Sequence, residues 1–259
     1  MSVARLIRKQ LPAAWQPSIR FLYERTRGLL ERELSVVASV VHRGDHVADV
    51  GANHGLYTHM FAKRGAVVEA FEPQPECVAV LRAYASRRRP RNVRVHPVAL
   101  SATAGIGTLH LPHGSESSPS ASLHSTTADD APLEVALEPL DAFAFSDLTL
   151  VKIDVEGAEL EVLRGATETL RRSRPLLFVE IEQRHHREPI AEVFDEITSL
   201  GYDGVFLDDS GRLRPLSMFD VNRCQLEAAR RPDAGQPYIN NFFFNPARGT
   251  GRVGRQWAT

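Results

Sequence analysis

The chain has 259 residues, 43% hydrophobic and 24% charged, and its 31 Lys+Arg against 32 Asp+Glu give a formal net charge of -1. That length allows one large domain with its own core plus short additions, and the even charge balance offers no global field for nucleic acid. Two cysteines, Cys77 and Cys224, stand far apart and outside any C-x-x-C pair, which argues against a disulfide framework or zinc site and suits a reducing compartment.

No apolar run is long enough to span a bilayer. Arg5, Arg8 and Lys9 interrupt the N-terminal apolar residues where a signal peptide needs a continuous core. The chain therefore reads as soluble and cytoplasmic. The stretch from Met1 to about Arg43 carries Arg5, Arg8, Lys9, Arg20, Arg25, Arg27 and Arg32 and no acid before Glu24. Leu6, Ile19, Leu22, Leu29, Leu30, Val36, Val37 and Val40 predict two amphipathic helices there, broken near Pro12 and Pro17. Such an arm is a lid or packing arm on the main domain, a homodimer contact, or a surface for anionic lipid; a transit peptide is the remaining reading.

From His46 strands and helices alternate. His46 to Val50 is a short apolar strand ending in a Gly-rich turn, followed by a helix with Leu56, Met60 and Phe61 on its apolar side and Gly65 at its end. Ala66 to Phe71 is the second strand, and Pro75 opens a helix to about Arg87. The run Arg87-Arg88-Arg89 is a solvated helix end; no aromatic platform accompanies it, so it does not suggest RNA. Asn92 to His96, Leu148 to Ile153 and Leu176 to Ile181 are the next strands. A helix opened by Pro189 carries Ile190, Val193, Phe194, Ile197 and Leu200 at helical spacing and ends at Gly201. Val205 to Leu207 and Tyr238 to Phe244 are the last strands. The alternation predicts an α/β fold, a mostly parallel sheet with helices on both faces. One segment, Leu109 to Leu140, lacks helical period; it holds the Ser/Thr-rich piece Ser115 to Thr127, flanked by Gly107 to Leu111 and Leu133 to Leu137, which suit a hairpin. Segments this long inside a domain tend to be functional. Residues 1–43 form the arm, 44–246 the domain and 247–259 a frayed tail.

The sharpest local signal is the turn Asp49-Val50-Gly51-Ala52-Asn53-His54-Gly55 between strand and helix. Its glycines let the backbone approach a ligand. The spacing is G-x-x-x-G rather than a dinucleotide fingerprint, and Asp49 would repel a phosphate. An acid there suits a cationic ligand without phosphate, such as S-adenosylmethionine. Phe71-Glu72-Pro73 closes the second strand roughly twenty residues later, where an acid takes ribose hydroxyls. In Val98-Ala99-Leu100-Ser101, Ala99 and Leu100 are placed to flank an adenine ring.

The run Val151-Lys152-Ile153-Asp154-Val155-Glu156-Gly157-Ala158-Glu159-Leu160-Glu161, continuing to Ala166, resembles the signature of FkbM-like methyltransferases. Pro175 to Glu182 resembles the strand that follows it in that family, and the Gly turn, F-E-P and V-A-L blocks recur in the same order, over about Asp45 to Phe244. The resemblance implies a Rossmann-like class I methyltransferase with a seven-stranded sheet, one strand antiparallel. It implies methyl transfer from S-adenosylmethionine, typically to a hydroxyl of a sugar, glycolipid or polyketide-type small molecule.

An alcohol needs a base or a metal to become nucleophilic at neutral pH. Asp154 and Glu156 follow the fourth strand and Glu180 and Glu182 close the fifth, so these acids are expected to converge, with His54 as a further candidate. Asp154 also counts among the cofactor contacts. An Asp154–Glu180 pair sharing a proton leaves one carboxylate as general base; Mg²⁺ on the same acids is the alternative, disfavoured because too few further oxygen ligands are in view. Glu159 and Glu161 read as helix N-terminal charges. The direction of Lys152 is undetermined, and His185 and His186 read as loop residues. Ser120, Ser122 and His124 are candidate acceptor contacts. An NAD-type oxidoreductase and a methyltransferase-like binding module without turnover stay open.

Overall fold

Successive side chains along the central strands enter two different cores, one on each face of the sheet, and this alternation sets the architecture. The computed structural model describes residues 11–30, 32–88, 91–112, 118, 121–124, 131–230 and 238–247. In chain order the strands begin with β1 (His46–Val50), β2 (Val67–Phe71), β3 (Val93–His96), β4 (Ala99–Leu100), β5 (Gly105–Leu111) and β6 (Ala131–Glu138). They continue with β7 (Leu148–Ile153), β8 (Leu176–Glu180), β9 (Tyr202–Leu207), β10 (Leu213–Pro215) and β11 (Asn241–Pro246). The helices used below are α1 (Gln16–Arg27), α2 (Arg32–Val40), α3 (Leu56–Arg64), α4 (Pro75–Arg87), α5 (Glu159–Arg164), α6 (Thr167–Ser173) and α7 (Ala191–Ser199).

The main sheet runs in the order β10-β9-β11-β8-β7-β1-β2-β3. The seven predicted strands all form, and the three-residue β10 adds an eighth at the edge. Strand β11 lies antiparallel between β8 and β9, while β8, β7, β1, β2 and β3 are mutually parallel. Val47, Val68, Leu150, Phe178 and Phe243 meet Leu34 and Val37 of α2 and Met60 and Phe61 of α3 on one face. Ala48, Val50, Val151, Val179, Phe242 and Phe244 meet Val162 of α5, Leu170 of α6 and Val193 of α7 on the other. Each such fully buried Phe contributes roughly 1.5–3 kcal/mol.

Helix α3 stops where predicted: Gly65, at φ +90, donates its N–H back to the carbonyls of Phe61 and Ala62. The long segment after β4 forms the expected hairpin, with Leu109 opposite Leu133 and Gly107 opposite Val135, and β4 joins β6 to make a small three-stranded sheet. The arm corrects the sequence reading. Pro17 does not break a helix but sits in the first turn of α1, where its missing N–H costs nothing; the break falls after Arg27, at Gly28. Leu22 and Leu29, expected on the apolar side, are solvent-exposed, and the arm packs through Pro17 and Phe21 instead.

Candidate active site

The chain leaves β1 at Val50 and turns through Gly51 to Gly55 into α3. Gly51 holds φ +72, and a Cβ there would collide with the carbonyl oxygen of Asp154 beyond β7. Only glycine lets the turn lie this close to the neighbouring strand end. Asn53, at φ +49, is also left-handed, a conformation asparagine tolerates better than most residues.

A cavity of about 250 Å³ opens at this turn. It lies at the carboxyl ends of the parallel strands, where open α/β sheets bind ligands. On the β2 side it is lined by Phe71, Glu72, Pro73, Val98, Ala99 and Leu100, roofed by Leu109, Ala121 and Leu123. On the β7 and β8 side stand Lys152, Asp154, Glu156 and Glu180, with Leu56 and Tyr57 of α3 and Arg20 of α1.

Each carboxylate has a distinct setting. Glu72 is buried, and its two oxygens accept the backbone N–H groups of Asn53 at 2.7 Å and Gln74 at 2.8 Å. Burial outweighs those bonds and the charge of Lys152, pushing its pKa up to about 7. Asp154 accepts a hydrogen bond from Lys152 Nζ at 3.0 Å. The same ammonium lies 3.7 Å from Asp49, donates to the Gly51 carbonyl at 3.3 Å and faces the Tyr57 ring at 5.0 Å. Burial disfavours a charge on Lys152, but Asp154 and Asp49 more than offset it and keep the ammonium protonated.

Glu180 accepts from Asn240 at 2.8 Å and hydrogen-bonds Glu182. Burial opposes ionisation of Glu182, yet bonds from Glu180, Tyr238 (2.5 Å) and Asn240 (2.9 Å) and the charge of Arg184 hold its pKa below the usual range. Glu156 occupies φ +54, a costly conformation for a side chain of this size, and sits 2.7 Å from His185. Burial lowers the basicity of His185, and the Glu156 contact reverses the balance upward.

The cavity gathers most of the predicted residues: Gly51, Ala52, Asn53, Glu72, Pro73, Ala99, Leu100, Asp154, Glu156 and Glu180. Others lie elsewhere. Asp49 is fully buried behind the turn, its carboxylate taking the Thr58 hydroxyl at 2.5 Å and the Thr58 N–H, so it caps α3 and braces Lys152 instead of facing a ligand. His54 is turned away by the left-handed Asn53 before it; it is buried, 3.5 Å from Cys77 Sγ, and lines no part of the cavity. Gly55 packs toward Pro17 and Leu81 rather than into the cavity. Ser122 sends its hydroxyl to the Glu156 carbonyl at 2.6 Å, while His124 is half exposed and 3.8 Å from Glu161. Their neighbours Ala121 and Leu123 face inward instead, a simple consequence of alternation. Ser120 lies outside the described residues. Glu180 hydrogen-bonds Glu182, and Glu180 and Asp154, its expected partner, both line the cavity. His186 approaches Glu159 at 2.7 Å. Sequence reasoning missed Arg20, Leu56, Tyr57 and Gln74 in the lining and left Lys152 undirected. Among the described residues no group of three or more His, Cys, Asp or Glu is arranged to hold a metal ion.

The profile of the family described as Methyltransferase FkbM domain matches residues 49–203. Among solved structures, the methyltransferase FkbM from Methylobacillus flagellatus KT is 16% identical over 93% of this chain and 57% of that chain, at a TM-score of 0.48. This chain thus spans little more than half of that protein's length. A TehB-like SAM-dependent methyltransferase from Corynebacterium glutamicum is 12% identical over 90% and 97% of the two chains, TM-score 0.44. An rRNA methylase from Streptococcus thermophilus is 12% identical over 83% and 95%, TM-score 0.49. No curated protein sequence matches the chain.

Proposed function

We infer that this chain, which belongs to the FkbM methyltransferase family, uses S-adenosylmethionine to methylate a hydroxyl of a sugar, glycolipid or polyketide-type small molecule. One observation carries the reading. Among the described residues, four carboxyl groups, Glu72, Asp154, Glu156 and Glu180, line the cavity against the two cations Lys152 and Arg20. That balance suits a sulfonium and an ammonium and disfavours the pyrophosphate of NAD. These four acids, rather than Asp49 behind the turn, would repel a phosphate.

S-adenosylmethionine supplies an electrophilic methyl group. The chain's residues hold it and prepare the acceptor. Glu72 takes the ribose hydroxyls, and the apolar pair Ala99–Leu100 with Leu123 takes the adenine. Asp154 faces the cavity beside Lys152 and receives the acceptor's proton, while Glu180, also in the lining, positions the acceptor. Mg²⁺ is not part of this reading. Cys77 and Cys224, both buried and in no disulfide, support a reducing, cytoplasmic setting, and no helix among the described residues is long and apolar enough to cross a membrane. The proposed organisation is an arm (1–43), a methyltransferase domain (44–246) and a tail (247–259). The exposed Trp15, Leu22 and Leu29 support a homodimer contact through the arm.

Calorimetry with S-adenosylhomocysteine and with NAD tests the cofactor. Saturable binding of the first alone is the expected result; binding of NAD alone would replace this reading with an oxidoreductase. Transfer of a labelled methyl group to a screened alcohol separates an enzyme from a silent binding module.

Glu72 makes a second test. Its folded pKa of about 7 lies above its ordinary 4.5, so between those values the folded state binds more protons than the unfolded. Stability therefore falls as pH rises through that window, and the cost persists above it. Glu72→Gln removes that ionisation cost but loses one of the two backbone N–H bonds, so what it should change is the pH dependence: wild type should lose roughly 2–3 kcal/mol relative to the variant between pH 4.5 and pH 8. The variant should also bind S-adenosylhomocysteine about ten- to hundredfold more weakly, the worth of charge-assisted bonds to a diol. Wild-type affinity should weaken below pH 7 as Glu72 takes its proton. Equal affinities of mutant and wild type across pH 6–8 would remove Glu72 from the ribose.

A further inference from the structure

The cofactor proposed above carries one anion, the α-carboxylate of its methionine part, and the β7–β8 side of the cavity is rich in acids. Only two cations line the cavity among the described residues. Lys152 is committed: it is buried and held between Asp154, Asp49 and the Gly51 carbonyl. Arg20 is not. Its Nε donates to Glu24 at 2.7 Å, one helical turn on, and its two terminal nitrogens have no partner among the described residues.

Packing fixes where Arg20 stands. Pro17, one turn earlier, packs on Gly55, its Cγ 3.4 Å from where a Cβ of that residue would be. Ser18 Oγ lies 3.3 Å from His59 Nδ1, and the Phe21 and His59 rings are 5.2 Å apart. One side of α1 is thus seated on α3, and Arg20 stands over the start of α3, beside Leu56 and Tyr57 in the cavity wall. Glu72 is across β1, on the β2 side, because the sheet order is β8-β7-β1-β2. A nucleoside held by Glu72 therefore extends its amino-acid part toward Arg20.

We propose that Arg20 binds the methionine carboxylate, while the neighbouring acids of the β7–β8 side take the ammonium, so that the N-terminal arm completes the cofactor site. The Glu24 contact on Nε orients the guanidinium and leaves its outer nitrogens for a bidentate carboxylate. The inference rests on the S-adenosylmethionine reading. It places a cofactor ligand outside residues 49–203, the span of the family match.

The experiment is calorimetry on the full chain and on Arg20→Gln and Arg20→Lys. The titrants are S-adenosylhomocysteine and 5′-methylthioadenosine, which shares the nucleoside but lacks the amino-acid part. Arg20→Gln should weaken S-adenosylhomocysteine about ten- to hundredfold, the range for a charged hydrogen-bonded pair. It should leave methylthioadenosine within about twofold, and Arg20→Lys should fall between, keeping the charge without the fork. Equal losses for both titrants would mean that Arg20 only supports the arm, and would overturn the proposal. So would unchanged S-adenosylhomocysteine affinity with a raised KM for the acceptor, which would make Arg20 an acceptor contact. Failure of wild type to bind either titrant would instead remove the cofactor reading beneath it.

Discussion

Asp154→Asn should retain S-adenosylhomocysteine affinity and lose roughly two to four orders of magnitude in kcat, the usual worth of a general base. The substitution is isosteric, so the loop that meets Gly51 keeps its shape. Lys152 stays charged through Asp49, 3.7 Å away. That leaves an extra positive charge beside the cavity, so affinity for cationic S-adenosylmethionine should fall while affinity for its neutral-sulfur product holds. Binding of the two is measured by calorimetry and turnover by labelled methyl transfer, each before and after EDTA. Activity lost to EDTA and restored by Mg²⁺ would overturn the base assignment, as would an Asp154→Asn enzyme at near wild-type rate.

Glu69→Ala should destabilise the fold by about 3–5 kcal/mol, the cost of removing one partner from a buried ion cluster, against a total of roughly 5–15 kcal/mol for a domain. Glu69 sits on β2 with its side chain 1% exposed, between His46 on β1 at 2.9 Å, His96 on β3 at 2.8 Å, and Arg94. His46 also meets Asp147 at 2.7 Å. Burial would raise the pKa of Glu69, but the bonds from His96, Arg94 and His46 bring it down to about 2 from 4.5. A folded pKa below the unfolded one gives stability that is complete above pH 4.5 and lost as pH falls toward 2. Urea midpoints across pH 2.5–7 should therefore fall steeply at the acid end for wild type. Glu69→Gln, the milder variant, should show a shallower fall. Matching midpoints and slopes would mean that the cluster contributes nothing net.

The sheet was largely legible because strands buried on both faces read as continuous apolar runs, as in Leu148 to Ile153. Helix ends were legible where chemistry marks them, at Pro75 and Gly65. Pro17 misled because proline both ends and opens helices, and sequence alone does not say which side of it is helical. In the site, Glu72 and Asp154 could be placed because strand ends face a common crevice. His54 and Asp49 could not, since a left-handed turn at Asn53 decides one direction and the pleat of β1 the other. The pairing of Glu180 with Glu182 depends on Tyr238 and Asn240, which lie 56 and 60 residues from the carboxylates they bond. No local pattern reports such a distance.

Strand β11 is synthesised after both of its neighbours, yet it fills the gap between them with Phe242, Phe243 and Phe244, all fully buried. While a ribosome is still making this chain, β8 and β9 expose facing edges that nothing earlier in the sequence pairs. Unpaired edges of that kind template association with other chains. The emerging protein is therefore most vulnerable during the interval between Leu207 and Asn241, and recombinant yield should depend on chaperone supply and growth temperature more than the stability of the finished fold would suggest.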